Sequence, residues 1–155
     1  MYQRILVPLD GSELAEQVLP HVEAIVKGGG VQEVIFFRVV EPYRTAFAGV
    51  DYVMADTEMQ QMLNRREENA RDYLNRLTGR LQSLGVSLTA KVTVGRADES
   101  IVDLATHEGV DLIVMATHGR SGVSRWVMGS VADRIVRWSC VPVLLIRPPA
   151  CVPKI

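Results

Sequence analysis

Leu112-Ile113-Val114-Met115-Ala116 runs without a break into Thr117-His118-Gly119-Arg120-Ser121-Gly122. Five successive apolar residues leave no side for water, so the segment reads as a strand covered on both faces, as inside a parallel sheet. Ile5 to Leu9 has the same character, and so does Val34 to Val40, where Arg38 is the one charged residue. Val86, Leu88, Ala90, Val92 and Val94 alternate with polar residues instead, which gives one dry face and places that strand at an edge. Val141 to Ile146 supplies a fifth strand.

Helical patterns fill the spaces between. Leu14, Ala15, Val18, Leu19, Val22, Ile25 and Val26 recur with helical spacing behind Ser12 as N-cap. Pro20 falls inside this helix, where it is expected to cost the hydrogen bond to the Glu16 carbonyl and to bend the axis. Residues 41 to about 57 carry no clear period and contain Pro42 and Gly49, so they read as a long connection of the kind that is functional or mobile. Ala70, Tyr73, Leu74, Leu77, Leu81 and Leu84 form the core face of a long helix ended by Gly85. Asp98 begins a short helix through Ile101, Leu104 and Ala105, and a fourth runs from about Arg125 to Trp138.

Strands alternating with helices need crossover connections, nearly always right-handed, and therefore a parallel sheet with helices on both faces. The class is α/β and Rossmann-like. With the apolar strands inside and the alternating one at an edge, the five strands take the order 3-2-1-4-5. The winding then reverses between the first and fourth strands, and ligands of such sheets bind there, beyond the strands' carboxyl ends. The fifth strand falls at the other edge although it is apolar on both faces. An uncovered edge of that kind invites another chain, so a two-fold dimer through residues 141–147 is expected, with a folded-back tail from Pro148 to Ile155 as the alternative.

The chain's 155 residues suit one domain, 1–155. Apolar residues make up 48% and charged residues 23%, the balance of a globular protein. Seventeen basic against eighteen acidic residues leave a formal charge of −1, which argues against nucleic acid or an anionic membrane as partner. The first residues show no leader pattern and no apolar run approaches the roughly 20 residues of a membrane span, so a cytoplasmic location is expected. Cys140 and Cys151 lack metal-ligand spacing and read as a core filler and a tail residue.

Two loops converge on the expected crevice. Asp10, at the end of the first strand, is placed either to accept hydrogen bonds from a ribose hydroxyl or to cap the following helix. In the second loop, Gly119 and Gly122 allow backbone N–H groups to turn inward around a phosphate. Gly129-Ser130 adds free N–H groups and a hydroxyl at the start of the last helix. Taken singly, the same glycines serve as well for turns and close packing.

Together these residues form a pattern. Ala116-Thr117-His118-Gly119, nine residues, then Gly129-Ser130 resembles the universal stress protein signature of glycine, two residues, glycine, nine residues, glycine and serine or threonine. Ile5-Leu6-Val7-Pro8-Leu9-Asp10-Gly11-Ser12 is similar to that family's opening strand and turn, and Val141-Pro142-Val143-Leu144-Leu145-Ile146 to its closing strand. The resemblance spans essentially the whole chain and implies an adenine nucleotide alpha hydrolase-like fold. It further implies an ATP site built from Pro8, Leu9, Asp10, Val39, Ala116, Gly119, Arg120, Gly129, Ser130 and Val131. In it Asp10 holds the ribose, the backbone near Val39 reads the adenine edge, and Gly119, Gly129, Ser130 and Val131 hold the phosphates, with Mg2+ or Mn2+ as an accompanying ion. The dimer is implied too. Ala116 departs from the signature's first glycine, a change that matters only if that residue needs positive φ or direct phosphate approach.

Arg120 is the better phosphate partner of the loop because its charge is permanent and its donors form a fork, while His118 reads as a solvent-facing loop residue. Trp126 and Trp138 read as core aromatics among solvated arginines. The chain has neither G-x-x-x-x-G-K-S/T nor G-x-G-x-x-G, so no residue pattern requires turnover. The leading reading is an ATP-binding, dimeric stress-response or regulatory module. A slow ATPase and a nucleotide-free interaction dimer are the alternatives.

Overall fold

The computed structural model describes residues 2–42, 56–117 and 128–147. Its sheet consists of β1 (Arg4–Pro8), β2 (Glu33–Val40), β3 (Ser87–Val94), β4 (Leu112–Ala116) and β5 (Val143–Ile146), ordered β3-β2-β1-β4-β5 with every pairing parallel. The helices are α1 (Glu13–Glu16), α2 (Leu19–Lys27), α3 (Asp56–Leu81), α4 (Ala97–His107) and α5 (Ser130–Trp138). Class and strand order are those expected from the sequence.

Strand alternation sorts the apolar runs into two cores. Ile5, Val7, Val34, Phe36, Leu112 and Val114 face α1, α2 and α3, whereas Leu6, Ile35, Phe37, Ile113 and Met115 face α4 and α5. The central strands are therefore apolar on both faces along most of their length, with Arg4, Glu33 and Arg38 as the charged positions of β1 and β2. Among the described residues β3 pairs only with β2, and it turns Leu88, Ala90 and Val92 toward the first core. Its other face is polar, with Thr89 donating to Glu33 and Lys91 paired with Glu108. α3 buries Ala70, Leu74, Leu77 and Leu81, an i, i+4, i+7, i+11 stripe. Its end tightens into a 3-10 turn, Gln82–Leu84, closed by Gly85 in the left-handed region at φ 71°.

Four expectations need correction. The first helix does not bend at Pro20; it breaks into α1 and α2. Val18 becomes the N-cap of α2, its carbonyl taking the His21 and Val22 N–H groups, and Pro20 sits in the first turn, where its missing N–H costs nothing. The last helix starts at Ser130, with Met128 and Gly129 non-helical before it. Trp138 is no core aromatic: it is 49% exposed, with the Arg134 guanidinium 5.9 Å from its ring centroid. Cys140 is exposed, not a core filler, because it falls between α5 and β5. Trp126, Cys151, the tail after Arg147 and residues 43–55 of the long connection lie outside the described residues.

Candidate functional site

β1 and β4 are neighbours, and the chain leaves them toward opposite faces, from Pro8 to α1 and from Ala116 toward α5. Their carboxyl ends part around a cavity of about 580 Å³. Pro8, Leu9, Asp10, Val39, Ala116, Gly129, Ser130 and Val131 all line it, so the predicted site residues that fall in the described part are brought together. Gly119 and Arg120, like His118, lie outside the described residues.

The first wall is the turn after β1. Leu9 N–H donates to the Phe37 carbonyl at 2.8 Å and carries the pairing one residue beyond the strand. Gly11 then reverses the chain at φ 82°. Asp10 Oδ1 accepts the Ser12 N–H at 2.9 Å and the Ser12 hydroxyl at 2.6 Å, while Ser12 Oγ accepts the Ala15 N–H at 3.1 Å. Ser12 does the capping of α1. Asp10 braces the turn and keeps its carboxylate at the cavity wall.

β2 forms the second wall because it outruns β1, whose last partner is Phe37. The Phe37 carbonyl points to β1 and the Val40 carbonyl takes the Gly95 N–H at 3.1 Å on the opposite side. Strand alternation therefore turns the N–H and C=O of Val39 toward the ended strand, and so toward the cavity. A donor and an acceptor in one line is what the edge of a nucleobase requires.

The third wall is the start of α5. Thr117 N–H donates to the Ile146 carbonyl and the Thr117 carbonyl accepts the Gly129 N–H, both at 2.9 Å. The second bond ties the returning chain to the end of β4 and sets α5 there. Gly129 is the N-cap, without a side chain of its own, so the first-turn N–H groups and the Ser130 hydroxyl are the donors that the cavity meets. The Gly129 N–H is itself engaged by Thr117, so this glycine contributes room more than a donor. Ala116 is a strand residue paired with Ile146, in extended backbone that any residue adopts.

Sequence reasoning missed several lining residues. Arg38 projects toward α3 with its guanidinium 5.2 Å from the Tyr73 ring centroid, and the Tyr73 hydroxyl donates to Glu16 Oε1 at 3.0 Å. Burial first, and then that bond to Glu16, push the Tyr73 hydroxyl above the usual phenol range. The lone charge inside an apolar strand was the available signal for Arg38. Glu41 takes the Ala97 N–H on its carboxylate at 3.1 Å and the Arg66 guanidinium on its carbonyl at 2.8 Å, joining β2's end to α4 and α3. Nothing in the local sequence announces those pairings.

Behind the third wall lies Asp98, 3% exposed, on the first turn of α4. Arg134 of α5 and Arg96 both donate to its Oδ2, and the Glu99 N–H donates to Oδ1. Burial works to raise its carboxyl, but the Arg134 hydrogen bond, the Glu99 N–H and the Arg96 charge outweigh it and hold the group below the usual carboxylate range. Among the described residues, no three or more His, Cys, Asp or Glu side chains group as metal ligands, and no helix is long and apolar enough to cross a membrane.

An open parallel sheet with a cavity at its switch point is the architecture of an α/β small-ligand protein. The sequence model of the universal stress protein family matches residues 1–147, and the chain belongs to that family. Universal stress protein MJ0577 of Methanocaldococcus jannaschii is 32% identical over 157 residues, covering 95% of this chain and 96% of that protein. A solved structure of MJ0577 superposes with a TM-score of 0.79 at 29% identity, covering 96% of this chain and 97% of the other. Two more distant structures share the fold. A universal stress protein in complex with cAMP has TM-score 0.67, 20% identity and coverage of 94% and 97%; a family member from Arabidopsis thaliana with AMP bound has 0.63, 14%, 98% and 96%.

Proposed function

We propose that the cavity is an ATP site and that the protein is a dimeric, nucleotide-binding regulatory module of the stress response. The observation that carries this is the convergence of three different recognition elements on one cavity: the Asp10 carboxylate, the Val39 N–H and C=O, and the first turn of α5. Their chemistries match ribose hydroxyls, the adenine edge and phosphate oxygens in turn. The volume of about 580 Å³ lies within the roughly 300–1,000 Å³ usual for small-molecule pockets. The chemical class is that of the AMP and cAMP carried by the two same-fold proteins. Gly119 and Arg120 complete the phosphate end in this reading, and Mg2+ or Mn2+ arrives on the phosphates.

The role of this chain is to bind and orient; no group in the described cavity is assigned to hydrolysis. Protein purified from cells should carry adenine nucleotide, seen as excess absorbance near 260 nm and identified after denaturation, or should take up ATP with magnesium in calorimetry. Gly129→Val adds a branched side chain at a residue that lines the cavity beside the anion donors, and ATP affinity should fall by at least about tenfold, one lost charge-assisted contact or more. No nucleotide on the purified protein and no uptake of added ATP would overturn the reading in favour of a nucleotide-free interaction dimer.

A further inference from the structure

Asp98 lines no part of the cavity, yet it is buried, charged and bonded to the helix that forms the cavity's anion-facing wall. Arg134 stands four residues after Ser130, one helical turn along α5, and its Nη1 donates to Asp98 Oδ2. Arg96 holds the same oxygen at 3.0 Å from the N-cap of α4, and also reaches Glu99 at 2.6 Å. Asp98 is 3% exposed, whereas Arg134 and Arg96 have side chains 47% exposed, so the carboxylate is the fixed point and the arginines reach in to it. Two guanidiniums converge on one buried carboxylate oxygen, Arg134 through Nη1 and Arg96 through Nη2, so both bonds are charge-assisted and share one fixed point. The start of α4 is itself anchored, with Ala97 N–H on the Glu41 carboxylate at the end of β2. The chain of contacts thus runs from β2, through α4, to α5 one turn from Gly129-Ser130.

We propose that Asp98 is a positioning residue for the phosphate end of the nucleotide site, acting through Arg134 to hold the first turn of α5 at the mouth of β4. This rests on the nucleotide reading of the cavity and adds to it the device that sets the anion donors. The Gly129 N–H bond to the Thr117 carbonyl ties the N-cap to the end of β4, and among the described residues it leaves the turn behind it to packing and to Arg134. Gly129 supplies no side-chain cap, and Ala132 and Ile135 are the buried residues that pack α5 on the sheet. Apolar packing fixes how deep a helix lies better than where it sits along its axis. A charge-assisted bond at the end of a long side chain fixes that second coordinate, and displacement of oriented donors by as little as about 1 Å is enough to lose most of their value to a ligand.

A purely electrostatic role for Asp98 predicts the opposite sign. Its negative charge near the α5 N-terminus opposes a phosphate, so its removal would then tighten ATP.

The test compares the full-length protein with Asp98→Asn and Arg134→Gln, reading ATP and adenosine affinities by calorimetry and amide hydrogen exchange by mass spectrometry without ligand. Each variant is expected to weaken ATP about tenfold, in the range of positioning effects. Adenosine, which has no phosphate, should change less than about twofold. The double variant should be no worse than the weaker single one, because both substitutions cut one link. In the unliganded protein, amides of residues 133–136, whose bonds close the first turns of α5, should exchange faster while β1 and β2 stay unchanged. Tighter ATP binding in Asp98→Asn, equal losses for ATP and adenosine, or unaltered exchange at these α5 amides would each overturn the proposal. If the unmodified protein binds neither ligand, the nucleotide reading fails on its own, and the exchange data still decide whether Asp98 holds α5. Should Asp98→Asn not fold, Arg134→Gln, changed at a half-exposed residue, carries the same measurements.

Discussion

Gly11 is under two constraints that differ in strength. Its φ of 82° lies where a side chain costs roughly 1–2 kcal/mol. A methyl there would stand 2.8 Å from Arg38 Nη1, which is the end of a flexible side chain and can give way. The backbone cost therefore dominates, and Gly11→Ala should lower unfolding free energy by about 1–2 kcal/mol in urea titration. A loss near zero would mean the turn can relax. Asp98 gives a residue-scale effect on pH. Its folded carboxyl titrates below the unfolded value, so its ion pairs contribute stability that is fully present above about pH 5 and is lost as pH falls through the lower folded pKa. Between about pH 5 and pH 2, stability should fall more steeply in the unmodified protein than in Asp98→Asn, and parallel curves would contradict this. Arg38 announced itself only as a lone charge in an apolar strand, and Asp98 was not legible as a contributor in the sequence at all. A charged residue declares its burial only when partners far along the chain are known, and Asp98 and Arg134 are thirty-six positions apart.

The elements were legible wherever one physical rule set them. Apolar runs located β1, β2 and β4, alternation placed β3 at the edge, and Gly85 ended the long helix. The misread elements are those where two rules compete. Continuous helical spacing from Leu14 to Val26 argued for one helix and Pro20 for a bend; the outcome is a break, because a proline in a first turn gives up no hydrogen bond. The two arrangements differ in the sign of a measurable effect. In a helix interior, Pro20→Ala would stabilise by about 3 kcal/mol. In the first turn of α2 the proline already fits, so its loss frees only the unfolded chain, and Pro20→Ala should destabilise by about 0.4–1 kcal/mol. A thermal melt that moves upward by several degrees would restore the continuous helix. The start of α5 was placed five residues early for a related reason. Spacing continues through Arg125, whereas the Gly129 N–H, bound to Thr117, fixes the first helical residue at Ser130.

At the scale of the whole molecule, β5 is the element that calls for a partner. Among the described residues it pairs with β4 alone, and no described strand takes the N–H and C=O groups of its other edge. Val143 and Leu145 pack on the second core and Ile146 is buried, but Leu144 stays 38% exposed in the middle of the strand. An apolar residue on an open edge is what a soluble monomer avoids and what a strand-paired dimer uses. Two β5 strands related by a two-fold axis would run antiparallel, each supplying the other's missing hydrogen bonds and bringing the Leu144 region against its own copy. In the proposed dimer, light scattering at micromolar concentration gives twice the 17.2 kDa chain mass. Leu144→Glu places two like charges in that contact, where their repulsion and desolvation oppose association, so this variant should run as a monomer. Its fold should survive, since position 144 is exposed within the chain itself, and an unchanged circular dichroism spectrum checks that. ATP affinity should also persist in the monomer, because Leu144 and the rest of β5 do not line the cavity. A monomeric mass for the unmodified protein would overturn the strand-paired dimer and leave the segment after Arg147 as the cover for the edge.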